Sequence, residues 1–512
     1  MAGPPWKDTV RCFSLVFLSL LILPFSSIVA CSCILILRVT PYLQPHTQPQ
    51  DGHPNEARRR TILVTGVGMA KGLTLARSFH LSGHRVIGAD FETHNAPCSG
   101  RFSRSLSAFY RLPKPSANQG NEKSYTESLN QIINAERVDL WVSCSGVASA
   151  VEDAQAKEII EQNTRCKCIQ FDVQTTSTLH EKASFMEECK RIGLPIPETH
   201  EVRSPRDVLR VLSKAKSKQK FILKPVGMDD RNRGNMTLLP LPSDMKTKEH
   251  ISQLPISKSN PWILQQFIPG GEEYCTHALV VRGEVKCFVA CPSAELLMHY
   301  KALPHDSALW KSMLAFTIEF VQNAPRPEAM TGHLSFDFMA SEGTPSQNGF
   351  AKNIYAIECN PRAHTAVVLF AQRGSEMEAM VRAYLSALKV DGKETAGVVN
   401  GTGPAGPLKG SLVTPPGNSL PRYWIGHDLV SLFLHPILRW VQGLTDFRHV
   451  RAAVLGFFTH VFFWKEGTFE AWDPLPAFYL YHVVWPLTIL SAWWKNQQWS
   501  RINVSTTKMF TC

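Results

Sequence analysis

Two carboxylates and one amide interrupt apolar segments in the middle of the sequence. Asp337 lies in GHLSFDFM, and Glu358 and Asn360 lie in IYAIECNPR, after a polar stretch at 341–353. Because side chains alternate along a strand, Glu358 and Asn360 share a face, and a hairpin partner can bring Asp337 beside them. Three hard oxygen ligands of this kind suit Mg²⁺ bound jointly to substrate phosphates. The alternative is a half-buried sheet with incidental acids.

Basic residues upstream suit the phosphates of such a substrate. Lys224 interrupts the apolar strand FILKP, and a buried ammonium without a partner is costly, so it favours an anion. The following segment carries Arg231 and Arg233, whose guanidinium groups are suited to phosphate oxygens. The alternative for Lys224 is an edge-strand position that faces solvent.

A third segment, PWILQQFIPGGEEY, could bind a nucleotide base. Its apolar strand ends in a Pro-Gly turn and resumes at Tyr274. The backbone at 265–268 can offer N–H and C=O groups to an adenine edge, and an acid just beyond, Glu272 or Glu273, can accept the ribose hydroxyls. A simple hairpin is the interpretation that this segment favours when it is taken alone.

A glycine turn near the start of the soluble part has a competing interpretation. Gly66, Gly68 and Gly72 follow an apolar strand, and Asp90 ends the next one. Such a turn with a later acid is typical of a dinucleotide site, which would make the chain a membrane-anchored NAD(P)-dependent reductase. The spacing is G-x-G-x-x-x-G, however, and tight packing of a helix on a strand explains the glycines equally well.

The surrounding pattern predicts a small doubly wound domain that ends near residue 175. Apolar strands alternate with segments of helical periodicity. The predicted strands are 60–65, 85–89, 139–144 and 167–171, and the predicted helices are 73–81, 125–136 and 150–162.

Both ends of the chain favour a membrane. Residues 12–37 carry no formal charge over 26 positions, which is enough for a transmembrane helix and long for the alternative, a cleaved signal peptide. Eight of the 12 Trp follow residue 420, and 474–494 is uncharged and aromatic, which favours an interfacial or re-entrant element. A soluble aromatic core is the alternative for this tail. A Gly- and Pro-rich linker at 395–421 precedes it.

Composition limits the remaining classes of function. The net charge is +11 over 512 residues, but no run of five like charges occurs, so nucleic acid is not an expected partner. The 13 cysteines have no zinc-type spacing and predict reduced thiols in a cytosolic compartment.

Taken together, these residues resemble an ATP-grasp enzyme. The segments LARSFHLSGHRV, PWILQQFIPGGEEYCTH, LSFDFMA, YAIECNPRAHT and DPLPAFYLYHVVWPL are similar to mycosporine-glycine synthetases. The resemblance implies an α/β and α+β fold in which a Rossmann-like pre-ATP-grasp domain precedes a two-lobed ATP-grasp fold, between an N-terminal transmembrane helix and an aromatic membrane-associated tail. The expected divisions are 1–60 (anchor and linker), 61–175 (pre-ATP-grasp), 176–394 (ATP-grasp), 395–421 (linker) and 422–512 (tail).

The resemblance also implies roles for individual residues. Lys182 and Lys224 would contact the ATP phosphates, and Arg362, Lys224 and Arg233 would act at the transferred phosphate. Glu272 or Glu273 would hold the ribose, and one or two Mg²⁺ ions, or Mn²⁺, would be bound by Asp337, Glu358 and Asn360. The adenine would contact Gln265, Gln266, Phe267 and Ile268. His277 and His364 lie near the inferred site and are expected to be structural.

The implied reaction activates a carboxylate or enol oxygen with ATP and couples it to the amine of an amino acid. ADP and phosphate are released, and a small acid or a cyclic enol is the expected second substrate. Relatives of this kind serve specialised metabolism. Because ATP and reduced thiols are cytosolic, we expect the catalytic lobes on the cytosolic face of an internal membrane such as the endoplasmic reticulum. A non-enzymatic scaffold would not need the intact lysine and metal positions.

Overall fold

The structure is a computed structural model. It describes residues 6–40, 59–92, 96–115, 121–144, 146, 149–216, 219–225, 237–293, 298–341, 353–389 and 412–511. Arg231 and Arg233 lie outside the described residues, as does most of the predicted linker at 395–421. The cysteines within the described residues are all free.

The chain begins with one long apolar helix, α1 (Trp6–Val39). Its apolar stretch, Asp8–Val39, contains an 18-residue window with a mean hydropathy of 2.6, of which only 11% is buried. At about 1.5 Å per residue the whole stretch is longer than the ~30 Å hydrocarbon core of a bilayer. A helix therefore forms where the sequence predicts one, and length and composition suit both a membrane span and a signal sequence.

Five parallel strands form the first sheet, in the order β3-β2-β1-β4-β5. This is the doubly wound arrangement that the sequence predicts. The sequence analysis did not predict β3, an edge strand whose residues are mostly only half-buried. The elements are β1 (Thr61–Thr65), α2 (Ala70–Leu81), β2 (Arg85–Phe91), β3 (Ala108–Leu112), α3 (Asn121–Glu136), β4 (Leu140–Val142), α4 (Ala150–Asn163) and β5 (Lys167–Ile169).

A three-stranded antiparallel sheet follows, in the order β6-β8-β7. Its core includes Val202, Phe221 and Trp262, and the helices α7 and α8 belong to the same region. The elements are α5 (Val173–His180), α6 (Lys182–Ile192), β6 (Thr199–Val202), α7 (Pro205–Lys214), β7 (Phe221–Pro225), α8 (Asp244–Ser252) and β8 (Trp262–Gln266).

A four-stranded antiparallel sheet, β10-β9-β11-β12, completes the central part. Its two central strands are almost continuously buried, which explains why they are rich in apolar residues. The elements are β9 (Glu272–Val281), β10 (Glu284–Pro292), α9 (Ala308–Gln322), β11 (Gly332–Ser341), β12 (Asn353–Asn360) and α10 (Ser375–Leu385). The mixed α/β class predicted from the sequence is confirmed.

The last hundred residues form short helices and two small two-stranded sheets. Their elements are β13 (Arg422–Tyr423), α11 (Ile425–Asp428), α12 (His435–Val441), α13 (Phe447–Phe463), β14 (Lys465–Glu466), α14 (Leu475–Tyr479), α15 (Trp485–Trp494), β15 (Trp499–Asn503) and β16 (Lys508–Thr511). Residues 475–494 form one helical stretch that is long and apolar enough to span a bilayer by length and composition. It contains an 18-residue window with a mean hydropathy of 1.3, of which 39% is buried.

The aromatic tail is partly core and partly surface. Trp424 and Trp485 are buried in the same apolar cluster as residues of the first domain and of the four-stranded sheet, whereas Trp494 is 81% exposed. The tail also meets the N-terminal helix, because Phe13 and Trp493 pack edge to face and Arg11 lies 3.4 Å from the Trp499 ring centroid. The soluble-core alternative therefore describes part of this region.

Candidate functional site

The three predicted metal ligands lie together on adjacent strands. Asp337 of β11 is directly opposite Glu358 of β12, and a bulge follows Asp337. The Asn360 Nδ2 atom donates a hydrogen bond to Asp337 Oδ2 at 3.1 Å. The alternation argued from the sequence therefore brings two carboxylates and one amide to the same place.

Carboxylates that lie close together affect one another in this cluster. Burial, followed by the nearby carboxylates of Glu358 and Glu273, raises the pKa of Asp337 well above its usual range. Arg362 and Lys182 act in the opposite direction. Carboxylate and amide oxygens that lie close together suit a hard divalent cation such as Mg²⁺.

Arg362 contacts the same cluster directly. Its NH2 atom donates to Asn360 Oδ1 at 2.9 Å, so the two ends of the Asn360 amide join Arg362 to Asp337. Planar guanidinium groups bind phosphate and carboxylate oxygens through two parallel hydrogen bonds. Arg362 is thus in a position to meet an anion that approaches the acids.

Two lysines reach the acidic cluster from other elements. Lys182, the first residue of α6, has its Nζ atom 3.2 Å from Glu358 Oε2. Lys224 lies on β7 of the three-stranded sheet, yet it is near enough to Lys182, Glu358 and Glu273 for their charges to affect its pKa. The two antiparallel sheets therefore contribute opposite charges to one site.

Lys224 is half-buried and has a polar neighbour that holds it. Its Nζ atom donates to Gln265 Oε1 at 3.0 Å, and Gln265 Nε2 donates to Thr199 Oγ1 at 3.2 Å. Burial and the nearby Lys182 lower the pKa of Lys224 to about 8. The alternative for Lys224 was a solvent-facing position on an edge strand. β7 is an edge strand, but Lys224 does not face open solvent.

The connection expected to meet adenine has fewer available groups than the sequence suggests. The N–H groups of Gln266 and Phe267 donate to the carbonyls of Glu198 and Lys220. Ile268 is buried. The Gln266 side chain accepts a hydrogen bond from the Glu198 N–H at 3.2 Å. These contacts belong to the sheet, so the Gln266 and Phe267 N–H groups already have partners within the protein.

The two adjacent glutamates point in different directions. Glu272 accepts a hydrogen bond from the Tyr274 hydroxyl. Glu273 lies near Lys224, Glu358 and the Ser293 hydroxyl, and partial burial raises its pKa. Alternation along β9 explains the difference, and it leaves Glu273 as the glutamate that belongs to the site.

The two histidines near the site are structural. His277 and His364 are buried, and the His364 N–H donates to His277 Nδ1 at 3.3 Å. Burial, with Lys71 nearby, lowers the pKa of His277 to about 3, and burial likewise lowers the pKa of His364. Both rings are therefore neutral near pH 7.

One lysine of the first domain reaches the site and was not anticipated. Lys71, in the first turn of α2, is 1% exposed, and its Nζ atom donates to the carbonyl of Ala363 at 2.9 Å. Burial, followed by nearby Arg362, lowers the pKa of Lys71 to about 7. The sequence shows a lysine within the glycine turn, but it does not show that the hydrogen-bond partner of this lysine lies 292 residues away.

The glycine turn itself is closed by contacts within the protein. The Gly68 N–H donates to Asp90 Oδ2 at 2.7 Å, and the Ala70 N–H at the start of α2 donates to the carbonyl of Ser505. A Cβ atom on Gly72 would lie 2.3 Å from the Gly66 carbonyl oxygen. The turn thus packs tightly, and its acid and a helix N–H that a dinucleotide would use have protein partners.

A second group of titratable residues lies in the tail region. Asp428 is fully buried, with Oδ1 2.8 Å from His299 Nε2 and Oδ2 2.7 Å from His460 Nδ1. The sequence analysis did not find this group because its members lie far apart in the chain. Each imidazole contacts a different carboxylate oxygen, so Asp428 bridges the two histidines by hydrogen bonds.

Comparisons with known proteins give partial likenesses. No protein-family model and no curated protein sequence matches the chain. The chain is similar in structure to the biotin carboxylase of Campylobacter jejuni, at 13% identity and a TM-score of 0.47, over 66% of this chain and 72% of that one. It is also similar to an L-amino acid ligase of Bacillus licheniformis, at 14% identity and 0.45, over 65% and 76%.

A third likeness is to the N5-carboxyaminoimidazole ribonucleotide synthetase of Thermus thermophilus. It has 16% identity and a TM-score of 0.44, over 64% of this chain and 78% of that one. Identities and scores in this range describe a partial likeness of fold. A proposal for the chemistry of this chain therefore rests on its own residues.

Proposed function

We propose that this chain is an ATP-dependent ligase of the ATP-grasp type that forms a C–N bond. The observation that carries the proposal is the convergence of Lys182 and Lys224 on the partly buried acids Asp337 and Glu358. Two cations from one side and two acids from the other form a site of mixed charge that suits a nucleoside triphosphate with its divalent cation.

In this proposal the triphosphate lies between the two antiparallel sheets. Lys224 and Lys182 bind its phosphate oxygens, and Glu273 accepts the ribose hydroxyls. The base lies near Gln265 and Ile268. Arg362 contacts the transferred phosphate, and Arg233, which lies outside the described residues, is proposed to do the same.

Asp337, Glu358 and Asn360 would hold Mg²⁺, or Mn²⁺, and the ion would neutralise phosphate charge as it develops. The donor chemistry supports this assignment, because the three residues offer oxygen ligands and the acids are too close to be ionised comfortably without a cation. Asn360 Oδ1, which accepts a hydrogen bond from Arg362, would be the amide ligand of such an ion.

The proposed reaction has two steps. An oxygen of the acceptor carboxylate attacks the γ-phosphorus, the bond to the β-phosphate oxygen breaks, and ADP leaves. The amine of the second substrate then attacks the acyl carbon, inorganic phosphate leaves with the bonding pair, and the nitrogen loses one proton to solvent or base. Arg362 and the lysines orient the anions. Orientation and electrostatic stabilisation supply most of the rate enhancement of phosphoryl transfer.

The resemblance to mycosporine-glycine synthetases supports a narrower proposal about the substrates. An amino acid would supply the amine, and a small acid or a cyclic enol would supply the oxygen, within specialised metabolism. For an enol, its hydroxyl oxygen takes the phosphate, and the amine replaces the phosphate at the same carbon.

Helix α1 supports the further proposal of a membrane anchor, with the catalytic part in the cytosol. The helix is long, apolar and largely unburied. Protease treatment of sealed vesicles tests this, since the catalytic part should be cleaved on cytosol-facing membranes. Protection of that part until detergent is added would contradict the proposal.

The ligase activity is tested by measuring ADP formation across a panel of amino acids paired with small acids or enols. The expected result is ADP and phosphate in equal amounts, only when both substrates are present. An acid labelled with ¹⁸O in its carboxyl group should transfer one label to the released phosphate. ADP formation with no acceptor dependence across the panel would argue against a ligase.

A further inference from the structure

A basic cavity of about 270 Å³ lies where the first domain, the segment after the catalytic cluster and the tail meet. It is separate from the proposed ATP site, because none of the lysines and acids proposed above lines it. Its charged lining comprises Arg77, Arg373, Arg422, Lys465 and Glu470, and Trp472 forms an apolar wall. Cavities of this size hold small organic molecules.

Arg422 is the unusual member of this lining. Only 3% of it is exposed, and its Nε atom has no hydrogen-bond partner among the described residues. No carboxylate of the described chain forms an ion pair with it. Burial lowers the pKa of the Arg422 guanidinium, although such a group stays charged at any ordinary pH. A buried cation without a paired anion is costly, which makes an external anion a good partner.

The local strand pairing increases this cost. β13 and β14 are parallel, with Arg422 in register with Lys465. Like charges on neighbouring strands repel each other. Lys465 is already paired with Glu470, and Arg77 is paired with Asp473 at 2.9 Å. Glu470 and Asp473 are therefore paired with other cations, and the third nearby acid, Glu466, accepts hydrogen bonds from the Tyr481 hydroxyl and from the Thr468 and Phe469 N–H groups. Among the described residues, Arg373 and Arg422 are left without an ion pair.

We propose that this cavity binds the oxyanion group, carboxylate or phosphate, of a small molecule or of a lipid headgroup. Arg422 supplies the main contact, Arg373 supplies a second guanidinium nearer to solvent, and the Trp472 face covers the apolar part of the ligand. Both guanidinium groups match the paired oxygens of such anions. The occupied site would connect the first domain to the tail, since its lining comes from both.

A purely structural role for Arg422 makes the opposite prediction for its removal. If Arg422 only stabilises the fold, the Arg422→Met variant loses that stabilisation. Its melting temperature in anion-free buffer should then fall below that of the unchanged protein. If the cavity is an anion site, the variant loses an uncompensated buried charge, and its melting temperature should be equal to or above that of the unchanged protein.

The test uses the full chain in detergent micelles, with inorganic phosphate and malonate as soluble probes and phosphatidic acid vesicles as the lipid probe. The melting temperature of the unchanged protein should rise with at least one probe. The response should disappear in Arg422→Met, weaken at least tenfold in apparent affinity in Arg373→Met, and strengthen in Glu470→Gln, which removes the competing acid. Circular dichroism establishes that the variants are folded.

The outcomes separate the two sources of the anion. A response to phosphate or malonate supports a soluble ligand, and a response to vesicles alone supports a lipid headgroup. An equal response in Arg422→Met and in the unchanged protein would overturn the proposal, as would no response to any of the three probes. Failure of the ligase proposal would leave these binding results unaffected.

Discussion

The Nζ atom of Lys182 lies 3.2 Å from Glu358 Oε2, so a lysine expected to bind phosphate is paired with a glutamate expected to bind metal. Both groups are partly exposed, with 21% and 30% of their side chains accessible. Since the pair is accessible, a triphosphate and a divalent cation can replace it with two separate contacts. The proposed function therefore predicts that binding of a nucleotide with its metal ion breaks this pair.

Replacing Lys182 by Met should affect ATP and metal in opposite directions. ATP binding should weaken by about tenfold or more, because a charge-assisted contact contributes roughly 1.5–3 kcal/mol. Binding of Mg²⁺ alone should strengthen, because the acids lose a competing cation. Calorimetric titration with each ligand measures both effects. The matched control is Lys190→Met, an exposed lysine on the same helix, and equal changes in the two variants would argue against the assignment.

The neighbouring glutamates give a paired test of the ribose contact. Glu273→Gln should raise the KM for ATP, because Glu273 lies near Lys224 and Glu358. Glu272→Gln should leave the KM nearly unchanged, because Glu272 contacts the Tyr274 hydroxyl instead. Steady-state kinetics on both variants distinguishes the two residues. A larger effect from Glu272→Gln would show that the ribose lies on the opposite face of β9.

ATP affinity should depend on pH through Lys224. Its pKa in the free protein is about 8, and a bound phosphate raises it, so the proton is taken up on binding. Affinity should therefore be constant below about pH 8 and fall above it, by up to about tenfold per pH unit. The dissociation constant between pH 6.5 and 9.5 measures this. Lys224→Arg should flatten the profile, and an unchanged profile in that variant would assign the titration to another group.

The junction between the first domain and the tail depends on one buried ion pair. Asp473 is fully buried and accepts hydrogen bonds from Arg77 Nε, from the Ser103 hydroxyl and from the Arg104 N–H. Asp473→Asn should lower the free energy of unfolding by about 3–5 kcal/mol, because the buried charge of Arg77 loses its carboxylate partner.

The control for this variant is Asp446→Asn, whose carboxyl is exposed and pairs with His449 only at the surface. Its effect should be within about 1 kcal/mol, because the pair is at the surface and asparagine caps α13 about as well as aspartate does. Denaturant unfolding measures both variants. Similar losses in the two would mean that the tail is not held by the Arg77–Asp473 pair.

The sequence predicted the elements whose signals are local. The spacing of Glu358 and Asn360 on one strand, opposite Asp337, follows from alternation along a hairpin, and the register agrees with it. The helix start at Lys182 and the apolar strand around Lys224 are equally local. These features need only a few consecutive residues, so no knowledge of distant contacts was required.

Other parts of the site depend on residues that are distant in sequence. The contact of Lys71 with Ala363 and the cap that Ser505 provides for α2 join the first domain to regions several hundred residues later. The tail was predicted as membrane-associated because its aromatic residues are abundant, but composition does not tell whether Trp424 faces lipid or core. Such pairings are fixed by packing, which a periodic pattern does not report.

The central claim is that the acidic cluster holds the metal–triphosphate complex of a ligase. It is tested most directly by ADP formation in Glu358→Gln, measured beside Glu272→Gln with the same acceptor and amine. The account predicts that Glu358→Gln loses ADP formation by at least a hundredfold while remaining folded, and that Glu272→Gln keeps it. Unchanged turnover in Glu358→Gln would contradict the account.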